Sequence, residues 1–251
     1  MKFLLVCAAL CLINSLCMAD GQKDIDMTMK KESIKGATSE IQLTFIGHAS
    51  LMLENNDKVY YIDPWSDTGD YSNMPKADII FVTHEHFDHY DKDLIKKLSK
   101  AETKIVTTKT VAEDYGKSAN VIVLANGENT TVNDIKVEAV PAYNIQHLRD
   151  GKNPFHPKGR GNGYILNIDG LRVYAAGDTE NVPEIKGLQN IDVAFLPYNL
   201  PYTMDKAMFE DLAKSIKAKY LYPYHTMGTD QKSIESIEVP ESIVRIRKFQ
   251  K

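Results

Sequence analysis

One histidine-rich stretch constrains this sequence more than any other part of it. Directly after a short apolar run stand the residues Thr83-His84-Glu85-His86-Phe87-Asp88-His89. The apolar run, Ile79 to Val82, has the length and composition of a buried β-strand. Loops that leave the carboxyl ends of strands carry much of the chemistry of α/β proteins. We therefore expect these polar side chains to form part of a functional site.

The spacing within this stretch limits the kind of metal site it can form. A zinc-protease helix needs His-Glu-x-x-His, but the residue four positions after His84 is Asp88. What remains is His-x-His-x-Asp-His, in which His84 and His86 can bind one cation while Asp88 and His89 face a second. Imidazole and carboxylate ligands suit Zn²⁺, Mn²⁺ or Fe. The alternative, a polar surface loop, is disfavoured because only seven histidines occur in the chain.

This pattern resembles the signature of the metallo-β-lactamase superfamily. Further motifs between residues 41 and 228 resemble those of the superfamily and occur in the same order. They are most similar to the lactonase-like and phospholipase-D-like branch. Gly177-Asp178-Thr179 stands where the superfamily places an aspartate that bridges two cations, and His225 follows a late strand where the second metal site is completed. The resemblance implies an α/β (α+β) fold, a four-layer αββα sandwich in a single domain. It also implies two divalent metal ions, with zinc expected before manganese or iron.

The third ligand of the first metal site departs from the superfamily pattern. Most members place a histidine there, whereas this chain has Asn144. An amide oxygen is a weaker ligand than imidazole for zinc-like ions. His147 and His156 are close enough in sequence to replace it, and a His-Pro-Lys-Gly element favours His156 as a metal ligand or a substrate-contacting residue. The basic residues of that glycine-rich element, Lys158 and Arg160, can hold an anion or be solvated.

Two more residues before the central motif are candidates for the site. Gly47-His48-Ala49 interrupts a predicted antiparallel meander, and the resemblance implies that His48 lines the pocket; the alternative is a structural turn. Asp63 ends the third strand of the meander, and the resemblance implies that it hydrogen-bonds a ligand histidine and fixes its orientation. Trp65 and Tyr71 shape a pocket wall or pack in the core.

The first 19 residues predict a signal peptide. A basic Lys2 is followed by an apolar run to about Leu16 and by Ala19 at the expected cleavage position. The run is too short for a membrane span of about 20 residues, and a lipoprotein signal at Cys17 or Cys11 is disfavoured because a leucine precedes each cysteine. All three cysteines lie in this segment, so thiolate ligands and disulfides are not expected in the mature chain. We expect export to the periplasm or secretion.

Charge and composition limit the partners. The net charge of −4 gives no basic footprint for nucleic acid or membrane surfaces. Residues 20–39 are polar, and we expect them to form a loosely ordered N-terminal arm. We assign residues 40–251 to the metallo-β-lactamase-fold domain that the resemblance implies. The sequence does not indicate the oligomeric state.

Together these residues predict a metal-dependent hydrolase with a dinuclear site. The first site would use His84, His86 and Asp178 with Asn144 or His156, and the second would use Asp88, His89, Asp178 and His225. Two cations about 3.5–4 Å apart activate water near neutral pH, with Asp88, His156 and His48 as the candidate catalytic residues. The expected substrate is a small molecule with an ester, lactone or phosphodiester bond. The alternatives are a non-catalytic secreted metal-binding protein and a di-iron redox enzyme.

Overall fold

The computed structural model describes residues 22–28, 30–116 and 118–249. Two β-sheets face each other and helices cover both outer faces, which confirms the predicted four-layer αββα sandwich. The predicted signal peptide, residues 1–19, and the three cysteines lie outside the described residues, so cleavage after Ala19 stays a prediction. No helix in the described part of the chain is long and apolar enough to span a membrane.

The first half of the chain forms a seven-stranded sheet. In spatial order its strands are β2 (Lys31–Lys35), β3 (Glu40–Gly47), β4 (Ser50–Asn55), β5 (Lys58–Ile62), β6 (Ala77–Phe81), β7 (Ser99–Thr107) and β8 (Val121–Val123). Strands β2 to β5 form an antiparallel meander, and β5 to β8 run parallel. Because β5 and β6 are parallel neighbours, the residues that follow them meet at one edge of the sheet.

The second half forms an eight-stranded sheet, to which the N-terminal strand is added. In spatial order its strands are β1 (Lys23–Asp26), β15 (Ile243–Arg247), β14 (Tyr220–Tyr224), β13 (Val193–Pro197), β12 (Leu171–Ala175), β11 (Gly161–Ile168), β10 (Ile135–Ala142) and β9 (Asn129–Val132). The pairs from β9 to β12 are antiparallel, and those from β12 to β1 are parallel. The carboxyl ends of β12 and β14 therefore point to the same edge.

Helices cover the two outer faces. They are α1 (Lys92–Leu98), α2 (Lys109–Tyr115), α3 (Pro183–Lys186), α4 (Lys206–Ile216) and α5 (Gln231–Glu235). The first two pack on the seven-stranded sheet and the other three on the eight-stranded sheet. Helix α4 follows from its local sequence: Asp205 accepts a hydrogen bond from the backbone N–H of Met208, and Phe209, Leu212 and Ile216 are buried on one side.

The prediction of a loosely ordered arm over residues 20–39 is wrong for two segments, each of which forms a β-strand. Residues 23–26 form β1 and pair with β15, and residues 31–35 form β2 and pair with β3. Glu32 is one of the polar residues that suggested an arm. Its carboxylate accepts hydrogen bonds from Arg245, Arg247 and the hydroxyl of Tyr222. The Glu32 to Arg247 ion pair, 2.7 Å long, joins the seven-stranded sheet to the eight-stranded one.

Replacing Glu32 by alanine is expected to lower the free energy of unfolding by about 3 kcal/mol, because the Arg247 side chain is only 1% exposed and would keep only the half-exposed Asp24 as an ion-pair partner. Chemical denaturation of the purified protein measures this. The matched control is Glu54→Ala, which removes an exposed pair to Lys31 at 3.9 Å and should cost under about 1 kcal/mol. Equal losses in the two variants would show that the buried Glu32 to Arg247 pair stabilises the fold no more than an exposed pair does.

Candidate metal centre

The predicted site residues lie at one edge of the sandwich, where strands of both sheets end. Asp63 and the loop of residues 83–89 follow the parallel neighbours β5 and β6. In the other sheet, Asp178 follows β12 and His225 follows β14. His48 reaches the same edge from the turn between β3 and β4. The topology thus brings together side chains that are far apart in sequence.

Six of the seven histidines meet here with the carboxylates of two aspartates. Their nitrogen and oxygen atoms form groups whose members all lie within 4.8 Å of one another. One group is formed by His84, His86 and His156, and another by His48, Asp88, His89 and His225. A third group overlaps the first two and is formed by His84, His89 and Asp178. Each group has the donor number and type of a transition-metal site.

Asp178, a member of the third group, also lies between the first and second groups. Its Oδ2 is 3.1 Å from Nε2 of His156 in the first group and 3.2 Å from Nε2 of His225 in the second. Its Oδ1 is 3.2 Å from Nε2 of His89. The side chain is only 3% exposed, so this carboxylate has no access to bulk water that could stabilise its charge.

The outer nitrogen of three of these imidazoles is held by an oxygen. Asp63 Oδ2 lies 2.8 Å from Nδ1 of His89, which is the hydrogen bond that the resemblance predicts for this aspartate. Asp63 also accepts hydrogen bonds from the N–H and hydroxyl of Thr83, whose Oγ1 is 3.0 Å from Nδ1 of His84. Asn144 Oδ1 is 2.7 Å from Nδ1 of His156. These contacts place the proton on Nδ1 and leave the Nε2 lone pair facing inward.

Asn144 does not occupy a ligand position, and this corrects the prediction that its amide oxygen binds metal. Its Oδ1 accepts hydrogen bonds from the backbone N–H and the ring of His156. Its Nδ2 donates to Glu180 and to the backbone carbonyl of Tyr202. The amide oxygen is therefore occupied by His156, and His156 is the third member of the first group. His147 is outside the groups, with its Nδ1 2.9 Å from Glu180.

The atoms at the centre of these groups fit a bound cation. Nε2 of His84, His89 and His225 and Oδ1 of Asp178 are buried and have no hydrogen-bond partner. Such orphaned polar atoms are rare in folded proteins and need a partner such as an ion. Nε2 of His156 and Nδ1 of His86 are 3.2 Å apart, near the ~3.4 Å that tetrahedral Zn–N bonds of about 2.0–2.1 Å require.

The electrostatics also favour cations. Burial alone would raise the pKa of Asp178, but the surrounding imidazoles hold that pKa well below its usual range. Burial likewise opposes ionisation of Asp88, and His89 is the strongest of the neighbours that lower its pKa. Burial lowers the pKa of His48 to about 4 and that of His84 well below its ordinary value. Burial opposes protonation of His89 and His225, but the neighbouring carboxylates raise the pKa of both above the ordinary value. The centre therefore combines ionised carboxylates with neutral and protonated imidazoles, and a bound cation would replace the protons on His89 and His225.

Several residues of the centre adopt unusual backbone conformations. His48, Asp63 and His225 have positive φ angles of 50°, 45° and 52°. Non-glycine residues rarely adopt such angles, and they cluster at functional sites. Gly177, directly before Asp178, has a φ of +64°, and a Cβ there would lie 2.9 Å from the carbonyl oxygen of Asn162. Glycine is required at this position for the chain to turn and present Asp178.

A cleft of about 790 Å³ opens over the centre. His86, Asp88 and His225 lie at its base, and Trp65 contributes to its wall as one of the sequence interpretations expected. Tyr71, the other aromatic residue predicted for the wall, packs in the core with 5% exposure. The volume is that of a small-molecule site.

The two basic residues of the glycine-rich element are already paired. Lys158 Nζ lies 2.5 Å from Glu184 Oε1, and Arg160 lies 2.5 Å from Glu85 Oε1. Their charges are thus balanced at the surface beside the centre, which favours the solvated alternative over an anion site.

Sequence reasoning missed Glu180, which is fully buried. Its carboxylate accepts hydrogen bonds from the consecutive backbone N–H groups of Ile145, Gln146 and His147, as well as from Asn144. It therefore fixes the start of the loop that carries His156. The sequence gives only a weak signal for it, a carboxylate directly after Gly177-Asp178-Thr179, because its partners lie more than 30 residues away.

Comparison with known proteins agrees with this geometry. A family described as the beta-lactamase superfamily domain matches residues 42–225. A metal-dependent hydrolase of Methanosphaerula palustris is 31% identical over 194 residues, which cover 74% of this chain and 83% of that protein.

Solved structures extend the comparison to the fold. The crystal structure of a metal-dependent hydrolase from Parabacteroides distasonis is 43% identical with a TM-score of 0.79, and the match covers 88% of this chain and 99% of that one. A zinc-dependent hydrolase of the metallo-β-lactamase superfamily from Thermotoga maritima is 19% identical with a TM-score of 0.55, over 84% of this chain and all of that one, and shares the fold. The chain belongs to the metallo-β-lactamase superfamily, among its metal-dependent hydrolases.

Proposed function

We propose that this enzyme hydrolyses an ester, lactone or phosphodiester bond of a small molecule with two divalent cations held side by side. The observation that carries the proposal is the position of Asp178, whose carboxylate lies within 3.2 Å of imidazoles from both the first and the second ligand group. His84, His86 and His156 would hold one cation, and Asp88, His89 and His225 the other, with Asp178 shared. Zinc is the first metal to test, because nitrogen-rich tetrahedral sets suit it, while manganese and iron accept the same donors.

When bound, such a pair of cations supplies a Lewis acid and a water molecule of lowered pKa. The chain's own contribution is to orient ligands and to move a proton. Asp88 is the most exposed carboxylate of the centre, with its side chain 21% exposed toward the cleft, and its Oδ2 is positioned to accept a proton. His48 Nε2 lies 3.1 Å from that atom and can share the proton. This gives Asp88 a catalytic role in addition to metal binding.

The roles of His48 and His156 differ in this proposal. His48 lies against His225, with ring centroids 3.8 Å apart, and its backbone carbonyl accepts a hydrogen bond from His225 N–H. It therefore positions His225 as well as contacting Asp88. His156 is assigned to the first cation, since its Nε2 faces both Asp178 and His86.

The open cleft favours a catalyst over a non-catalytic metal-binding protein. A storage or structural site is usually closed by four protein ligands, whereas here a cleft of about 790 Å³ leads to the ligands. A di-iron redox enzyme would use the same donor types, so the identity of the metal and the reaction must be measured together.

The decisive experiment counts metals in the purified protein by mass spectrometry and assays it on aryl ester, lactone and phosphodiester reporters. We expect about two cations per chain and turnover on at least one reporter class. A chelator should abolish that turnover, and added zinc or manganese should restore it. Two bound cations without turnover on any class would favour the metal-binding alternative, and oxygen consumption with bound iron would favour the redox alternative.

Replacing Asp178 by alanine should reduce the metal content to one cation or fewer per chain and lower turnover by more than about a hundredfold. The reason is that loss of supporting residues around metal sites already costs about 10- to 100-fold, and Asp178 contacts both ligand groups. Asp93→Ala is the matched control, because Asp93 is 94% exposed and lies outside the site. Full metal content in the Asp178 variant would rule out its shared role.

Asp63→Asn should weaken metal affinity or activity by about 10- to 100-fold, since asparagine no longer provides the carboxylate that holds Nδ1–H of His89. The matched control is Asp78→Asn at the opposite end of the same strands. Asp78 is also buried and accepts a hydrogen bond from the backbone N–H of Val59. Both variants should lose stability, and only Asp63→Asn should lose metal in a competition titration with a chelator. Equal metal retention in both would show that Asp63 is purely structural.

A further inference from the structure

One positively charged side chain in the wall of the cleft, that of Arg149, has no role in the metal centre. Arg149 lines the cleft, and no carboxylate in the described part of the chain lies within ion-pair distance of its guanidinium. This distinguishes it from Lys158 and Arg160, whose charges are balanced by Glu184 and Glu85. An unbalanced guanidinium beside a substrate cleft is available to bind an anion.

Aromatic contacts place Arg149 on a continuous wall that ends at the metal centre. Its Cζ lies 5.5 Å from the centroid of the Phe155 ring, and that ring meets Tyr202 edge to face at 5.1 Å. The residue after Phe155 is His156, whose Nε2 faces Asp178. The guanidinium therefore stands on the same wall as a metal ligand but outside the ligand groups.

The loop that carries Arg149 is fixed before any ligand binds. The buried carboxylate of Glu180 holds the backbone at residues 145–147. Leu148 and Pro154 form a β-bridge, and Arg149 N–H donates to the carbonyl of Asn153 at 2.7 Å. A fixed backbone lowers the entropy lost when the side chain binds a ligand.

Most of the remaining cleft surface is apolar and aromatic, although Glu85 and Asn199 also line the cleft. Phe87 is 75% exposed and packs edge to face against Trp65 at 5.6 Å, and Met227 is 39% exposed. All three line the cleft. Exposed apolar side chains that converge on one cleft mark a binding surface for an apolar group.

We propose that Arg149 binds an anionic group of the substrate, a carboxylate or phosphate, while Trp65, Phe87 and Met227 contact an apolar part of the same molecule. The substrate is thus an apolar molecule with a negatively charged group separated from the bond that is cleaved. This deepens the hydrolase proposal and rests on it, because the bond itself must reach the metal centre. The role of Arg149 is to select and orient the substrate.

The test uses Trp65 as a reporter, since it is the chain's single tryptophan and lines the cleft. The metal-loaded protein is titrated with 4-phenylbutyrate and with its neutral counterpart 4-phenylbutyramide, and binding is followed by tryptophan fluorescence. We expect the acid to bind more tightly than the amide. Arg149→Gln should weaken binding of the acid by about tenfold and leave the amide unchanged, since one charge-assisted contact is lost. Arg149→Lys should retain part of the preference.

The matched control is Lys152→Gln, which removes an exposed positive charge from the same loop outside the cleft and should not change either affinity. If the acid keeps its advantage in Arg149→Gln, its carboxylate binds elsewhere, as on the metal ions, and the proposal is wrong. Equal affinities for acid and amide in the unaltered protein would also refute it.

A kinetic arm separates this proposal from the hydrolase proposal. For phenyl hexanoate and the half ester phenyl adipate, Arg149→Gln should raise KM about tenfold for the charged ester alone and leave kcat within about twofold. If neither ester turns over, the hydrolase proposal fails for esters, while the fluorescence titration still decides the role of Arg149.

Discussion

The constraint on which the site depends is the burial of negative charge. Asp63 and Asp178 have side chains that are 0% and 3% exposed, and an ionised carboxylate in such a position is costly unless it is paired and hydrogen-bonded. Asp63 meets this need with Thr83 and His89. Asp178 meets it only in part, since its Oδ1 has no hydrogen-bond partner. Asp178 therefore needs further positive charge nearby, and the surrounding imidazoles can provide it by binding cations together with this carboxylate.

The sandwich makes this concentration of polar groups possible. Each sheet ends in parallel strands whose carboxyl ends lie at the same edge, so their following turns deliver ligands to one place without distorting the core. The ligands come from both sheets, with His84 and His89 from one and Asp178 and His225 from the other. A cation bound among them would therefore also link the two sheets. Folding and metal binding are coupled in such an arrangement.

Much of the fold and of the ligand set could be predicted from sequence because their signals are local. Strands such as β5 and β6 are apolar runs, α4 has a helical apolar stripe, and the three central histidines lie within six residues of sequence. The N-terminal strands could not be predicted, because their residues are mostly polar and because β1 pairs with the distant strand β15. Glu32 pairs with Arg247, 215 residues later, and no local pattern reports such a contact.

The third ligand of the first group also depends on contacts that a local sequence pattern does not reveal. The superfamily pattern indicated the position of Asn144, but sequence could not show that its amide is consumed by the ring and backbone of His156. The structure also shows why the two residues act together: Asn144 is held by Glu180, which fixes the backbone up to His147. Glu180 is thus the common anchor of a metal-facing histidine and of the loop that carries Arg149. Because both depend on one buried carboxylate, a change at Glu180 should alter the position of His156 in the metal centre together with that of Arg149, the residue proposed to bind the substrate's anionic group.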